Sequence, residues 1–307
     1  MNINSILAVT DMPAANHAID RAAMLAAEHG AVLSLMYAAA PDRHDLSVAV
    51  GHLSHLAKHV SLRFGITVRT VCRSGDAIEE ISEEASRHDL VVISHEPERS
   101  LSTFLRGTRM ERIIRLCRCP VLVTKLEAKK SYGRVLVAVD FTKTSKALVN
   151  FAFGFDPDAE VELFHAINTS DEAKLRSAEA SDHVIKAYRH KTRLKAHERM
   201  FWLTDSSDAR RNRVMSAVGR GDPARQVAVQ QEYGGAELIV VGRRLRSAMA
   251  EFFCGSVAQR LVSWSSGDVL VVPHDHRSKI RVSAKLRTEV DQGDDQGAFL
   301  PNRRRAL

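Results

Sequence analysis

The chain has 307 residues, of which 45% are hydrophobic and 26% are charged, a composition typical of globular proteins with room for about two domains. No apolar stretch approaches the roughly 18 to 20 residues that a membrane span needs, and the first residues lack a signal-peptide pattern. We therefore expect a cytoplasmic protein without membrane contact. The four cysteines are too few and too scattered for a disulfide framework, and only Cys254 lies beside a candidate site.

The formal charge of +7 is concentrated near the C-terminal end. Residues 277–307 contain eight Lys and Arg against four Asp and Glu, a net charge of +4, and they show no hydrophobic period. This composition predicts a disordered basic tail over residues 276–307. Such a tail holds polyanions only weakly, so we do not expect nucleic-acid binding beyond weak tail contacts.

Taken in chain order, the sequence contains one unit twice. Each copy opens with a short apolar strand that ends in Asp, continues through a helical pattern and a second strand, and reaches Gly-Asp before another helix. The Gly-Asp pair follows a third, β-like run, and after it come a fourth apolar strand, a helix that begins at Gly-Thr or Gly-Ser, and a fifth and last strand. The matching segments are residues 6–11 and 135–140, 32–38 and 161–166, 75–76 and 221–222, 89–93 and 237–241, 107–108 and 255–256, and 120–123 and 268–271.

Buried strands that alternate with helical patterns predict a parallel, doubly wound α/β sheet in each copy, with five strands and helices on both faces. We place the copies at residues 1–126 and 132–275. Pairing of the last strands, at residues 121–124 and 269–272, edge to edge within the chain would hide two exposed edges. The chain would then be an intramolecular pseudo-dimer, and a homodimer with a second chain is left open.

The second copy is longer than the first, mainly through a highly charged segment at residues 168–205. The segment predicts an extended, exposed helix. Two interpretations stay open: a solvated helix with alternating charges, and an arm that binds an unknown protein partner.

The loop after the strand at residues 238–241 has the parts of an anion-binding site. Glycine lets the backbone approach a ligand, while the unpaired amides and the dipole at a helix N-terminus favour an anion. The loop contains a glycine at its start, three arginines, and Gly-Ser at its end, namely Gly242, Arg243, Arg244, Arg246, Gly255 and Ser256.

At these residues the chain resembles the universal stress protein family, whose nucleotide-binding members carry glycine, two residues, glycine, nine residues and then Gly-Ser or Gly-Thr. Gly242, Leu245 and Gly255-Ser256 reproduce this spacing, with leucine in place of the second glycine. The resemblance implies a Rossmann-like fold of the adenine nucleotide alpha hydrolase type in tandem, with the last strands of the two copies paired edge to edge. It also implies that ATP or a related adenine nucleotide binds the second copy, with Mg²⁺ if it is bound.

The resemblance further assigns a role to each matching residue of the second copy. The adenine would contact Ala138 and Asp140 at the end of the first strand and Ala166 at the end of the second. The ribose and phosphates would contact the glycine loop and the start of the next helix, at Val241, Gly242, Arg244, Leu245, Gly255, Ser256 and Val257. The chemistry agrees, since a carboxylate accepts from an exocyclic amine, and arginine, amides and a hydroxyl hold an oxyanion.

Two departures from the family pattern bear on binding. Leu245 places a side chain where the pattern brings backbone close to the ligand, and a positive φ there would cost about 1–2 kcal/mol. In the first copy Ser94 and Pro97 occupy the two glycine positions, and Glu96 and Glu98 would repel a phosphate. We therefore predict a degenerate first copy and a nucleotide site in the second.

Two further patterns have simpler structural interpretations. Residues 219–224 fit the dinucleotide fingerprint G-x-G-x-x-G/A, but they follow the third strand, and Asp222-Pro223 is typical of a helix N-terminus. His52, His55 and His59 share one helix face, but no carboxylate or cysteine lies at matching spacing. We expect a surface stripe and no metal site.

The sequence lacks a P-loop, a G-x-S-x-G nucleophile elbow and an H-E-x-x-H motif, and nothing places a nucleophile beside a base. We therefore predict a stress-response regulator or binding module that is not an enzyme. Two alternatives stay open. One is a nucleotide-independent tandem scaffold that acts through protein–protein contacts, and the other is a slow adenine-nucleotide hydrolase or an adenylating enzyme.

Overall fold

The computed structural model describes residues 3–10, 17–37, 46–72, 77–95, 108–205, 214–243 and 257–274. Strands and helices alternate through both copies of the repeat. The first copy contains β1 (Ser5–Thr10), α1 (His17–His29), β2 (Val32–Tyr37), α2 (Leu46–Phe64), β3 (Val68–Cys72), α3 (Ala77–Ala85), β4 (Leu90–Ser94), α4 (Arg109–Leu116) and β5 (Val121–Thr124). The second copy contains β6 (Arg134–Ala138), α5 (Ser145–Phe155), β7 (Glu160–Ile167), α6 (Ser170–Ser177), α7 (Asp182–Asp205), β8 (Val214–Arg220), α8 (Pro223–Gly234), β9 (Leu238–Arg243), α9 (Val257–Trp264) and β10 (Asp268–Pro273).

The strands form one ten-stranded sheet in the order β3-β2-β1-β4-β5-β10-β9-β6-β7-β8. Within each copy all pairs are parallel and the strand order is the same, so the predicted doubly wound α/β fold is confirmed for both copies. Alternate residues of a strand enter two separate cores. In β1, Ile6 and Ala8 belong to one core, and Leu7 and Val9 belong to the core on the other face. Burial on both faces explains the continuous apolar runs.

β5 and β10 join the two copies through the sheet's one antiparallel pair among the described strands. Val123 lies opposite Val269, and Val121 lies opposite Val271. The edge pairing that the sequence predicted within the chain is therefore present. It removes one exposed edge from each copy and leaves β3 and β8 at the outer edges of the sheet.

The charged segment forms two helices, α6 and α7, so the prediction of one extended helix was wrong. The chain breaks at Glu179, which has a left-handed φ of 53°. No glycine or proline marks this break in the sequence. The prediction of full exposure was also wrong in part, because α7 packs on β7 and β8 and buries one face, at Ile185, Ala196, Met200 and Leu203.

Glu172 connects the two helices of this segment to the sheet. Its carboxylate is almost fully buried and contacts three guanidinium groups, those of Arg176 in α6, Arg189 in α7 and Arg220 at the end of β8. A buried carboxylate requires such partners, because an isolated charge in the interior is costly. The segment is thus anchored at both its start and its middle.

The fingerprint at residues 219–224 has a structural explanation. A Cβ atom on Gly219 would lie 2.5 Å from Cζ of Phe164, whose ring is buried, so the glycine makes room for this ring. Gly221 has a φ of 138°, which favours glycine. Asp222 accepts a hydrogen bond from the Arg225 amide at 3.0 Å and caps α8. These contacts agree with the structural interpretation of the motif.

A buried polar cluster lies where the two copies meet. Asp268, the first residue of β10, has no exposed surface. Its Oδ1 accepts from the amides of Lys125 and Leu126 at 2.7 and 2.9 Å, and its Oδ2 accepts from the Tyr132 hydroxyl at 2.6 Å. Arg21 of α1 completes the cluster, with Nε 3.5 Å from Asp268 Oδ2 and its guanidinium 4.1 Å from the Tyr132 ring centroid.

Replacing Asp268 by Ala is expected to lower the free energy of unfolding by about 3–5 kcal/mol, because the substitution leaves a buried guanidinium, a hydroxyl and two amides without their acceptor. Urea denaturation measures this change. Glu160→Ala is the control, since its pair with Arg134 is exposed and its loss should cost less than about 1 kcal/mol. Similar losses for the two variants would contradict the role given to the Asp268 cluster.

Gly219→Ala is expected to lower the free energy of unfolding by about 1–3 kcal/mol, because the new methyl group overlaps the Phe164 ring. In a Phe164→Leu background, Gly219→Ala should lower the free energy of unfolding by much less, because the smaller side chain no longer overlaps the methyl group. Gly51→Ala in α2, where a Cβ atom meets nothing within 4 Å, serves as the control and should be neutral or stabilising. Equal effects of Gly219→Ala in both backgrounds would sink the steric explanation.

Candidate functional site

The predicted base-contacting residues lie at the carboxyl ends of neighbouring strands. In the register of the sheet, Ala138 of β6 lies beside Phe164 of β7 and beside Val241 of β9. Ala166 lies two residues beyond Phe164 on β7. Carboxyl ends of parallel strands share one edge of the sheet, and that edge is where doubly wound folds bind ligands.

Four of the predicted site residues share one face of this edge. Ala166 and Val241 are buried in the core on that face, and Ala138 and Val257 pack against the same core. α8 packs against β7, and α9, which begins at Val257, packs against β9 and β10. The structure therefore brings these four residues together beside the start of a helix.

Asp140 follows β6 and organises the turn into α5. Its Oδ1 accepts from the Thr142 amide at 3.1 Å, from the Thr142 hydroxyl at 2.6 Å and from the Ser145 hydroxyl at 3.0 Å. Phe141, the next residue, has a left-handed φ of 56°, a conformation that costs a non-glycine residue about 1–2 kcal/mol. The hydrogen bonds of Asp140 hold the carboxylate at the strand end and stabilise this strained turn.

His165 and Arg199 are neighbours of the turn that sequence reasoning did not assign to the site. The His165 ring stacks against Phe141 with a centroid separation of 4.1 Å, and the Arg199 guanidinium lies 5.9 Å from the Phe141 ring centroid. Arg199 lies in α7, 34 residues after His165 in the sequence. No local sequence pattern therefore connects the two residues. Only the packing of α7 on β7 brings them together.

The protonation of His165 follows from its hydrogen bond. His165 Nδ1 lies 2.8 Å from the Val139 carbonyl oxygen, which can only accept, so Nδ1 carries the proton. Burial lowers the pKa of His165, although the Val139 carbonyl and Asp140 raise it, and Arg199 lowers it further. A neutral imidazole protonated at Nδ1 presents Nε2 as an acceptor.

Gly242 packs against another histidine. A Cβ atom at this position would lie 2.8 Å from Nε2 of His274 and 3.7 Å from Cδ2 of Leu148. The sequence explained this glycine by the approach of a ligand to the backbone. In the structure the side chain that lies against it is the His274 imidazole, on the face of the sheet opposite to Val241.

Arg243 does not belong to an anion-binding loop, and that expectation is corrected. It is the last residue of β9, is buried, and donates from Nη1 to the Arg115 carbonyl at 2.7 Å and from Nη2 to the Cys117 carbonyl at 2.9 Å. These carbonyls lie at the C-terminal end of α4 in the first copy, where a cation is favoured. Arg243 thus stabilises the contact between the copies.

Several residues that the sequence assigned to the loop lie outside the described part of the chain. For them the assignment stays a prediction. They are Arg244, Leu245, Arg246, Gly255 and Ser256, together with the neighbouring Cys254.

The equivalent helix of the first copy differs at its start. The Thr108 hydroxyl accepts from the Glu111 amide at 3.1 Å, and the Thr108 amide donates to the Glu111 carboxylate at 3.1 Å. This capping box uses two amides of the α4 N-terminus and places a negative charge there. In α9 the residue at the matching position is Gln259, which carries no charge.

The other candidate groups lie away from this edge or in the core. His52, His55 and His59 are exposed on α2, and among the described residues no group of three or more His, Cys, Asp or Glu could hold a metal ion. Cys117 is buried, and burial raises its pKa to about 12. A thiol with so high a pKa is not a nucleophile at neutral pH.

Solved structures share this architecture over most of the chain. A universal stress protein from Archaeoglobus fulgidus DSM 4304 superposes with a TM-score of 0.63 at 19% identity and covers 89% of this chain and 97% of its own. A protein of unknown function from Pseudomonas aeruginosa PAO1 superposes with a TM-score of 0.61 at 21% identity and covers 88% and 92%. At these identities the likeness concerns the fold.

Sequence comparison is more specific. A universal stress protein of Synechocystis sp. is 25% identical over 155 residues, which are 47% of this chain and 99% of that protein. Among the described residues, no helix has both the length and the apolarity that a membrane span requires. The sequence profile of the universal stress protein family matches residues 2–125 and again residues 131–273. The chain therefore belongs to the universal stress protein family and contains its domain twice.

Proposed function

We propose that the second domain binds ATP or a related adenine nucleotide, with Mg²⁺, and that the protein acts as a stress-response regulator or binding module. The observation that carries this proposal is the grouping of Ala138, Ala166, Val241 and Val257 on one face of the sheet's carboxyl edge. Small side chains at a strand end leave room for a flat base, and this is the edge at which doubly wound sheets take ligands.

The base would lie at the β6 and β7 ends. Asp140 is held there by three hydrogen bonds to Oδ1, and its charge makes it an acceptor for the exocyclic amine of adenine. His165, at the end of β7, donates from Nδ1 to Val139 and presents Nε2 as a second, neutral acceptor beside the turn. At the 6-position of the base, an acceptor such as Asp140 favours the amine of adenine over the carbonyl oxygen of guanine.

The phosphates would lie at the start of α9. In the sequence Gly255-Ser256 directly precedes Val257, the first residue of this helix, and the amides of a first turn favour an anion. The first domain supports the contrast, since the Glu111 carboxylate occupies the corresponding helix start there. We therefore propose one nucleotide site per chain, in the second domain.

Leu245 is the residue on which the proposal depends most. It replaces a glycine of the family pattern, and its side chain favours the alternative of a scaffold that does not bind nucleotide. The exposed aromatic residues of α7 also favour contacts with another protein. Catalysis has less support, because the hydroxyls that donate to Asp140, those of Thr142 and Ser145, lie at the proposed base end of the site and not at its phosphate end.

Calorimetric titration of ATP and Mg²⁺ into nucleotide-free protein tests the site. We expect wild type to bind, Gly255→Asp to abolish binding by adding charge and bulk beside the phosphates, and Leu245→Gly to tighten it about tenfold by restoring the glycine of the family pattern, which has no side chain and adopts a positive φ without cost. Gly107→Asp is the matched control, since it makes the same change in the first domain and should leave the affinity unchanged.

The outcomes separate the three functions. Binding without release of phosphate supports the proposal, and turnover of the bound ATP would favour the hydrolase instead. If neither wild type nor Leu245→Gly binds ATP, the nucleotide site is ruled out and the scaffold remains.

Asp140→Asn tests the base contact. The amide oxygen can still accept from Thr142 and Ser145, whereas the amide nitrogen donates and would oppose the amine of adenine. We expect at least a tenfold loss of ATP affinity with an unchanged melting temperature, and a smaller loss for GTP. An equal loss for both nucleotides would mean that Asp140 does not read the base.

A further inference from the structure

The outward face of α7 carries a concentration of exposed apolar side chains. Leu194 is 57% exposed, Phe201 is 64% exposed and Trp202 is 62% exposed, and Val184 on the same helix is 47% exposed. Single exposed apolar residues are ordinary, but four on one helix indicate a contact surface. The inner face of the helix is already packed on the sheet through Ile185, Ala196, Met200 and Leu203.

The apolar residues are regularly spaced. Ala187, Leu194 and Phe201 follow one another at intervals of seven residues, which places them in a stripe along the helix with a drift of only about 20° per interval. A stripe with this period is the pattern by which one helix packs lengthwise against another. The described residues of the chain provide no helix against this face, since all of the stripe is exposed.

We propose that this stripe binds the same stripe of a second copy, with the two α7 helices antiparallel and a two-fold axis near Leu194. In such a pair, residues at equal distances on either side of the axis meet. Ala187 lies seven residues before Leu194 and Phe201 lies seven after it, so the small side chain of each copy faces the large ring of the other.

The charges along the stripe agree with the antiparallel pairing. Lys191 lies three residues before Leu194 and Glu198 lies four after it, so each lysine meets the glutamate of the second copy. A parallel pair would instead place lysine beside lysine. Val184 and Trp202 lie ten residues before and eight after the same point, so they too come close across the pair. With a two-fold axis near Leu194, the charges, the side-chain volumes and the apolar residues of the two helices are therefore all complementary.

Other occupants fit less well. The segment 277–307 shows no hydrophobic period that would match the seven-residue spacing of the stripe. A second copy does not pair through β5 or β10, because these two strands are already paired with each other within the chain. A helix of 24 residues is about 36 Å long, and a contact confined to it is at the small end of specific interfaces, so we expect a weak, reversible dimer.

Sedimentation velocity over a range of concentrations tests the surface. Wild type should shift from monomer to dimer as concentration rises, and Phe201→Asp should stay monomeric, because it buries a charge opposite Ala187. Val229→Asp is the matched control, since Val229 is 53% exposed on another helix, α8, and this variant should dimerise like wild type. Thermal melting checks that each variant is folded.

Charge reversal tests the orientation without depending on Phe201. Lys191→Glu and Glu198→Lys should each weaken the dimer roughly tenfold, because each puts like charges together twice in a symmetric pair. Combining the two should restore an affinity close to wild type. A wild type that stays monomeric, a dimer that Phe201→Asp leaves intact, or a double variant as weak as the single ones would each overturn the proposal, and a monomer would point to another protein as the occupant.

Discussion

The buried carboxylate of Asp268 constrains the way the two domains meet. An unpaired charge in the interior is costly, so Asp268 needs partners. It accepts hydrogen bonds from the segment that connects the domains and pairs with the charge of Arg21 in α1. Burial raises the pKa of Tyr132 well above its usual value, so its hydroxyl stays protonated and donates to this carboxylate. Together these bonds hold β10 beside β5, and the two sheets continue as one.

This junction also decides which groups remain available for binding. Arg243 comes from the strand that leads into the candidate nucleotide loop, yet it donates to carbonyls at the end of α4 and belongs to the junction. The last strand of each domain is likewise used within the chain. The contacts proposed for other molecules use groups outside this junction, at the carboxyl edge of the second domain and on α7.

The two domains share a fold but differ in chemistry at the same position. In the first domain the helix after the fourth strand begins with a capping box, in which the Glu111 carboxylate accepts a hydrogen bond from the Thr108 amide. In the second domain the residue at the position of Glu111 is Gln259, which carries no charge. A carboxylate at a helix N-terminus stabilises the helix, and its negative charge also repels a phosphate at the same place. The two copies therefore differ in charge at a helix start that the fold places at the same position.

The sequence by itself determined the repeat and the doubly wound sheets, because periodic apolar runs and turn residues act locally and recur in both copies, and the family resemblance pointed to the pairing of β5 with β10. It also placed Ala138, Ala166 and Val241 at strand ends, where register brings them together. Only the tertiary structure decided the break at Glu179, the turning of Arg243 toward α4, the histidine against Gly242 and the approach of Arg199 to Phe141. These depend on side-chain contacts between residues far apart in the chain or on strain without a sequence marker, and no local pattern encodes such contacts.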